Sequence, residues 1–360
     1  MKGERWEDAA KYHFKACIRA LARSANRQVV SFARVGIEAL DKLAPSTDRN
    51  NLAVDLRLIA NNALISIGEL DAMVENLEQT RELVEVSSDP RRKASVKTHL
   101  AIACWLQGDH IRAQHAASSA LEIARAIKHP ALQMGACSAL GMSFHAVGRY
   151  DDAIALHEKL RAQLTGEARL IRAGWTAYPL VLIDTFIASA HIERGTFDEA
   201  RALIDEGLQF ARKLQHPYSL ATIQDFDGYH LLATGRTEAA AKVFANALNL
   251  CEKYELLNLR RSVSAKLAMA ETRLGRHDTA VDRMQALIDP ADHLKGGTYV
   301  WHWLYTAYAE ALLAAGRPED ALSQVTCSLE LTQRAGEKPH IGQGLKLKGD
   351  ILAAMGKTDE

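Results

Sequence analysis

The chain has 360 residues, 48% of them hydrophobic and only 6% aromatic, with 8 prolines, as in an alanine- and leucine-rich helical protein. Lysine plus arginine and aspartate plus glutamate both number 44, so net charge gives no pull toward nucleic acid or an anionic membrane. The five cysteines (17, 104, 137, 251 and 327) are odd in number and form no C-x-x-C pair, which argues against a disulfide framework or a cysteine zinc site and for a reducing, cytoplasmic setting.

In chain order, residues 1–47 are the least regular. Gly3, Trp6 and Ala9–Ala10 read as the turn and second helix of a unit whose first helix is missing, and 19–44 reads as a shorter hairpin. Residues 1–35 carry a local excess of +5, with Lys11, Lys15 and Arg19 among the basic groups; a solvated helix face accounts for it. The segment has no apolar stretch of a signal peptide, and no run approaches the roughly 20 residues of a membrane span.

From residue 48 onward one period governs. Gly68, Gly108, Gly148, Gly195, Gly235, Gly275, Gly316 and Gly356 are spaced 40, 40, 47, 40, 40, 41 and 40 residues apart. Six of them are followed five positions later by alanine: Ala113, Ala153, Ala200, Ala240, Ala280 and Ala321. A fixed period in this range marks an array of stacked supersecondary units.

The unit around Gly148 shows what repeats. Leu132, Ala136, Leu140, Phe144 and Val147 step by three or four, a helical apolar stripe, and Ala153, Leu156, Leu160 and Leu164 continue the step beyond the glycine. Glycine between two such stripes supplies the positive φ that ends one helix and turns the chain. Asp151 and Asp152 then complement the macrodipole of the second helix. The alanine faces the partner helix near the turn, where only a small side chain fits. At the far end of each unit, Asp89-Pro90, His129-Pro130, His216-Pro217 and Lys338-Pro339 place proline where a first helical turn tolerates it.

The expected fold is therefore all-α: a right-handed superhelical solenoid of antiparallel hairpins of about 40 residues, each helix about 15 to 18 residues long. Residues 1–47 hold irregular partial repeats. Residues 48–360 hold hairpins near 51–86, 90–127, 130–164, 176–213, 217–253, 256–289 and 297–335, with a terminal helix at 339–355. The chain begins and ends inside a unit. The 47-residue interval implies a longer loop between Leu164 and Pro179, broken by Thr165-Gly166 and Gly174-Trp175, that either projects from one edge or marks a kink.

Catalytic motifs are absent. There is no P-loop, no H-E-x-x-H and no G-x-S-x-G elbow; His110 and His115 are five apart, an awkward spacing for one metal, and Asp225 and Asp227 point apart on a helix. No cofactor or metal is expected, and the chain reads as a non-enzyme. Histidines such as His99, His145, His191 and His230 in first helices are read as space-filling groups.

The spacing resembles the tetratricopeptide repeat (TPR), best at Leu140, Gly141 and Phe144 with Ala153, and at Gly228 with Ala240, Phe244 and Ala247. It departs from that family in length, 40 residues rather than the usual 34. The resemblance implies that first helices line the concave face, with inward positions 13, 10, 6 and 3 residues before the glycine. These select Trp105, Met142, His145, Asp225, Tyr229, Met269, Trp303 and Glu310. Such a wall suits a peptide or helix; Trp105 and Trp303 could equally pack between long helices.

Residues 20–28, 216–220 and 235–252, with the long connection near 165–179, also resemble the C-terminal repeat region of bacterial multidomain class III adenylate/guanylate cyclases that carry a P-loop ATPase module. That resemblance implies a regulatory scaffold or sensor whose partner is a protein or peptide, such as an ATPase or cyclase module of the same polypeptide. Nucleic acid and membrane are not expected partners. A small-molecule inducer sensor, as in ATPase-type transcriptional activators, is the alternative.

Overall fold

The computed structural model describes residues 2–85, 89–172, 175–288 and 298–357. Gly174, the 289 and 297 ends of two expected hairpins, residue 86 and the last residues, 358–360, lie outside the described residues.

Among the described residues the fold is all α-helical and pairs its helices into antiparallel hairpins. In order these are α1 (Lys2–Ala22) with α2 (Asn26–Leu40), α3 (Thr47–Ser66) with α4 (Leu70–Glu85), α5 (Pro90–Leu106) with α6 (His110–Ala126), and α7 (Pro130–Ala146) with α8 (Tyr150–Arg161). There follow α9 (Pro179–Arg194) with α10 (Phe197–Leu214), α11 (Pro217–Ala233) with α12 (Thr237–Lys253), α13 (Leu257–Arg273) with α14 (His277–Gln285), α15 (Thr298–Ala314) with α16 (Pro318–Ala335), and α17 (Lys338–Ala354). Most are 15 to 18 residues long, about 25 Å at 1.5 Å per residue.

Each period glycine sits where the helices reverse, with φ between 72° and 81°, a region L side chains enter at a cost. At Gly148 the chain leaves α7 and the Arg149 N–H closes the turn on the Phe144 carbonyl at 2.8 Å. The reverse junctions use other residues for the same bend: Lys128, Gln215 and Glu255 take φ near 50° there. Asp89, His129 and His216 cap the helices that follow, each side chain accepting from a backbone N–H of the first turn.

Two sequence expectations are corrected. Residues 19–44 do not form a hairpin of their own: α1 runs unbroken to Ala22, turns at Ser24, and pairs with α2, because the apolar stripe through Ala10, Cys17 and Leu21 is continuous and buried. The segment after α8 does not simply project. A 3-10 turn at Gly166–Leu170 leaves Leu170 and Ile171 exposed, but Ala177 is buried and Trp175 reaches the inner wall. Arg172 holds it there, donating to the Leu21 carbonyl at 3.0 Å.

Packing follows the hairpin pattern. The alanines five after each glycine are at most 1% exposed, so two backbones approach at each turn. Gly228 shows how closely: a Cβ on it would lie 2.5 Å from the Phe244 ring, itself wholly buried. The stack then winds until it meets itself. α13 touches α3 and α15 touches α5, five hairpins earlier in each case. Gly148 faces Pro339 of α17, and Arg27 pairs with Glu255 at 2.7 Å. The concave side is consequently an interior, walled by first helices.

Candidate functional site: an inner cavity

That interior holds a cavity of about 400 Å³, lined from α3, α5, α7, α9, α11, the first turns of α13, and α15. It opens because α7 presents small groups inward (Gly135, Ser138 and Ala139, with Met142 one turn further on), while the walls on either side carry large ones: Trp105, Phe186 and Phe226. Helical period brings these residues to one face, and the winding of the stack brings the faces together. Thr98, Thr185, Thr222 and Asn258 add hydrogen-bonding groups. His99 also lines it, and burial lowers its pKa, so its imidazole is neutral at pH 7. An apolar lining with a few polar groups is the composition of a ligand pocket, and the volume falls within the range of about 300–1,000 Å³ that such pockets span.

Asp225 is the one carboxylate among the described lining residues, which include no lysine or arginine. It is 2% exposed, and its Oδ2 accepts from Lys266 Nζ at 2.7 Å and from Ser262 Oγ at 3.0 Å. Its Oδ1 is buried without a hydrogen-bond partner. A buried carboxylate oxygen in that position is an acceptor waiting for a donor, since leaving it unpaired costs free energy. Lys266, wholly buried, closes the floor. Its Nζ lies 5.1 Å from the Phe226 ring, 5.6 Å from Tyr229 and 5.3 Å from Trp303, so the cation is held by one carboxylate and three aromatic faces.

Of the eight inward positions expected from sequence, the structure places Trp105, Met142 and Asp225 on this cavity. His145, Tyr229, Met269, Trp303 and Glu310 do not line it. His145 is buried against Tyr150 and Phe186, and burial lowers its pKa to about 3. Tyr229 donates to Glu193 and meets Trp303 edge-on. Met269 is buried in the C-terminal core, and Glu310 lies half-buried near Arg273 and Lys346.

Sequence reasoning missed Phe186, Phe226, Tyr218 and Trp175 on the cavity. Phe226 and Phe186 stand one residue off, or in the unit after, the inward positions selected. Trp175 belongs to the inserted segment, whose path no period could give.

Tetratricopeptide repeat family models match residues 136–167 and 302–325. A search of curated protein sequences finds no match. Solved structures resemble the whole chain. A Rap protein complexed with Competence and Sporulation Factor superposes with a TM-score of 0.60 at 12% identity, covering 98% of this chain and 99% of that one. NprR in complex with its cognate peptide NprX gives 0.60 at 14% identity, covering 97% and 99%. The apo form of the quorum sensor NprR from B. thuringiensis gives 0.58 at 15%, covering 98% and 96%. At these identities the likeness is one of fold: a TPR-like helical solenoid.

Proposed function

We propose that this chain is a non-catalytic, TPR-type regulatory module that takes a short apolar peptide segment into its inner cavity. The observation that carries the proposal is the apolar inner chamber with one partnerless carboxylate oxygen, Asp225 Oδ1. Trp105, Met142 and Phe186 supply apolar contact, and Asp225 accepts a backbone N–H or ammonium of the ligand. The peptide complexes named for Rap and NprR support a peptide as the occupant. The resemblance of residues 20–28, 216–220 and 235–252 to the repeat region of bacterial cyclase–ATPase proteins supports a role in signalling, with binding relayed to a partner or to a module of the same polypeptide in the cytoplasm.

Gly135→Leu tests this reading. A Cβ at Gly135 has ordinary clearance, 3.5 Å to Thr98 and 4.0 Å to Trp175, and the longer side chain fills the chamber without removing a wall charge. Leucine also favours the helix by about 0.8–1 kcal/mol over glycine. Panning a display library of short random peptides should enrich apolar sequences that bind the parent at micromolar Kd or better and fail to bind the variant. No enrichment, or equal binding to both, would sink the proposal.

The modest volume favours one second reading, an apolar small-molecule inducer in the same chamber. Thermal-shift hits from a fragment library that Gly135→Leu abolishes, without any peptide hit, would select it.

A further inference from the structure

A second buried polar centre lies away from the cavity, where the winding stack closes on itself. Glu337 stands between α16 and α17, directly after Gly336, and its side chain is 1% exposed. Its backbone is fixed on both sides: the Glu337 N–H donates to the Thr332 carbonyl, and its own carbonyl accepts from the Ile341 N–H, each at 3.0 Å. Three histidines surround its carboxylate. His110 Nε2, 227 positions earlier and at the start of α6, lies 2.9 Å from Oε1. His340 Nδ1, in the first turn of α17, lies 2.9 Å from Oε2, and His302 Nδ1, on α15, lies 3.8 Å from the same oxygen. The histidine side chains are 2–8% exposed.

We propose that His302, Glu337 and His340 form a binding site for a first-row divalent transition cation of the zinc class, with His110 orienting the carboxylate. The donor set is two imidazoles and one carboxylate, and one ligand atom from each lies within 4.8 Å of the others. Metal–ligand bonds of about 2.0–2.2 Å in a tetrahedron separate ligand atoms by about 3.3–3.6 Å. The observed 2.9 and 3.8 Å bracket that edge. Nitrogen and oxygen donors without thiolate suit zinc and its neighbours rather than calcium or magnesium. Three protein ligands leave a tetrahedral ion one position for water. The second carboxylate oxygen already carries the contact from His110, the kind of outer hydrogen bond that fixes a ligating carboxylate.

One feature must change on loading. The His302 and His340 rings stack with centroids 3.8 Å apart, so they must splay for both nitrogens to aim at one ion. Trp303 lies against both rings, 5.2 Å from His302 and 5.7 Å from His340, and reports the movement.

The experiment uses the full chain without an affinity tag, stripped with chelator and dialysed against Zn²⁺ or Co²⁺. The expected result is one equivalent bound per chain, visible d–d absorption with Co²⁺, quenched tryptophan emission and a raised melting temperature. His302→Ala with His340→Ala should lose the equivalent, and His110→Gln should weaken binding about 10- to 100-fold. Uptake of no metal, or an equivalent kept by the double variant, overturns the proposal. Should the double variant not fold, Trp303→Phe decides. It should keep the cobalt equivalent and its absorption but lose most of the quenching; quenching left intact would place the ion elsewhere.

Discussion

Along the inner wall, α5, α7 and α9 face the chamber, whereas the later turns of α13 and α15 pack large side chains against each other. The backbone plan is the same in both regions. What differs is the size and charge of the inward side chains. Where α7 offers Gly135, Ser138 and Ala139 to the chamber, α15 buries Trp301, His302 and Trp303 among its neighbours. In the filled region the polar groups pair with one another: Lys266 with Asp225, and Glu337 with His110 and His340. A repeat scaffold thus forms a chamber or a packed support from one hairpin geometry by the size and charge of its inward side chains, and the support holds the floor of the chamber in place.

The largest effect should come from breaking that floor. Lys266→Ala leaves the Asp225 carboxylate buried and uncompensated, at a cost of about 3–5 kcal/mol. Urea denaturation followed by circular dichroism should show it. Lys266→Met combined with Asp225→Asn, which removes both charges, should recover most of the loss. A single variant as stable as the parent would mean that water reaches this pair and that the floor is not sealed.

Two glycines sharpen the same contrast. Gly228 of α11 abuts the buried Phe244 ring, so Gly228→Ala overpacks and should cost about 1–3 kcal/mol. Gly135 of α7 borders the chamber, and Gly135→Ala should be neutral or stabilise by up to about 1 kcal/mol through helix propensity. Equal responses would remove the distinction between a packed and an open wall.

These positions also show what was legible in the sequence. The glycine period located every hairpin turn within the array, because a turn is a local event fixed by a few residues. The tight pair Gly228–Phe244 was legible for the same reason, as a small and a large residue at repeat positions. The chamber was not. Which inward residues face space depends on helices five hairpins away, and no local pattern encodes how far the stack winds before α13 meets α3. Trp303 and Tyr229 obey the inward rule and are nonetheless packed, because Lys266 rises from the adjacent helix between them. The Glu337 centre was invisible for a related reason: its histidines lie 3, 35 and 227 positions away, so a search for ligands at helical spacing passes over them.

Glu310 probes the packed region by pH. Burial pushes its carboxyl up from an ordinary 4.5 to about 7, with Arg273 and Lys346 pulling the other way. The folded chain then holds a proton that the unfolded chain releases between those values. Its contribution therefore weakens stability as pH rises through that window and is constant above it. Glu310→Gln, which needs no proton, should gain on the parent between about pH 5 and pH 8 by about 1–2 kcal/mol. Parallel stability curves for the two proteins would show Glu310 to be solvated, and this part of the wall to be looser than α7.

The smallest effects come from the turns, and they test whether the stack is closed. Gly148 and Gly316 both reverse the chain with positive φ, 81° and 73°. Alanine at either position should cost about 1 kcal/mol for the left-handed backbone. Gly316 has nothing within 4 Å of its would-be Cβ, so the backbone cost is all that Gly316→Ala should show. At Gly148 the same atom would come within 3.1 Å of Pro339 on α17, so Gly148→Ala should cost a few tenths of a kcal/mol more, by overpacking. The excess should vanish in a Pro339→Ala background, since the two residues couple only through that contact. An excess that survived would assign it to the turn itself. No excess at all would mean that α17 yields at Gly148, and that the inner wall closes less firmly there than between α13 and α3.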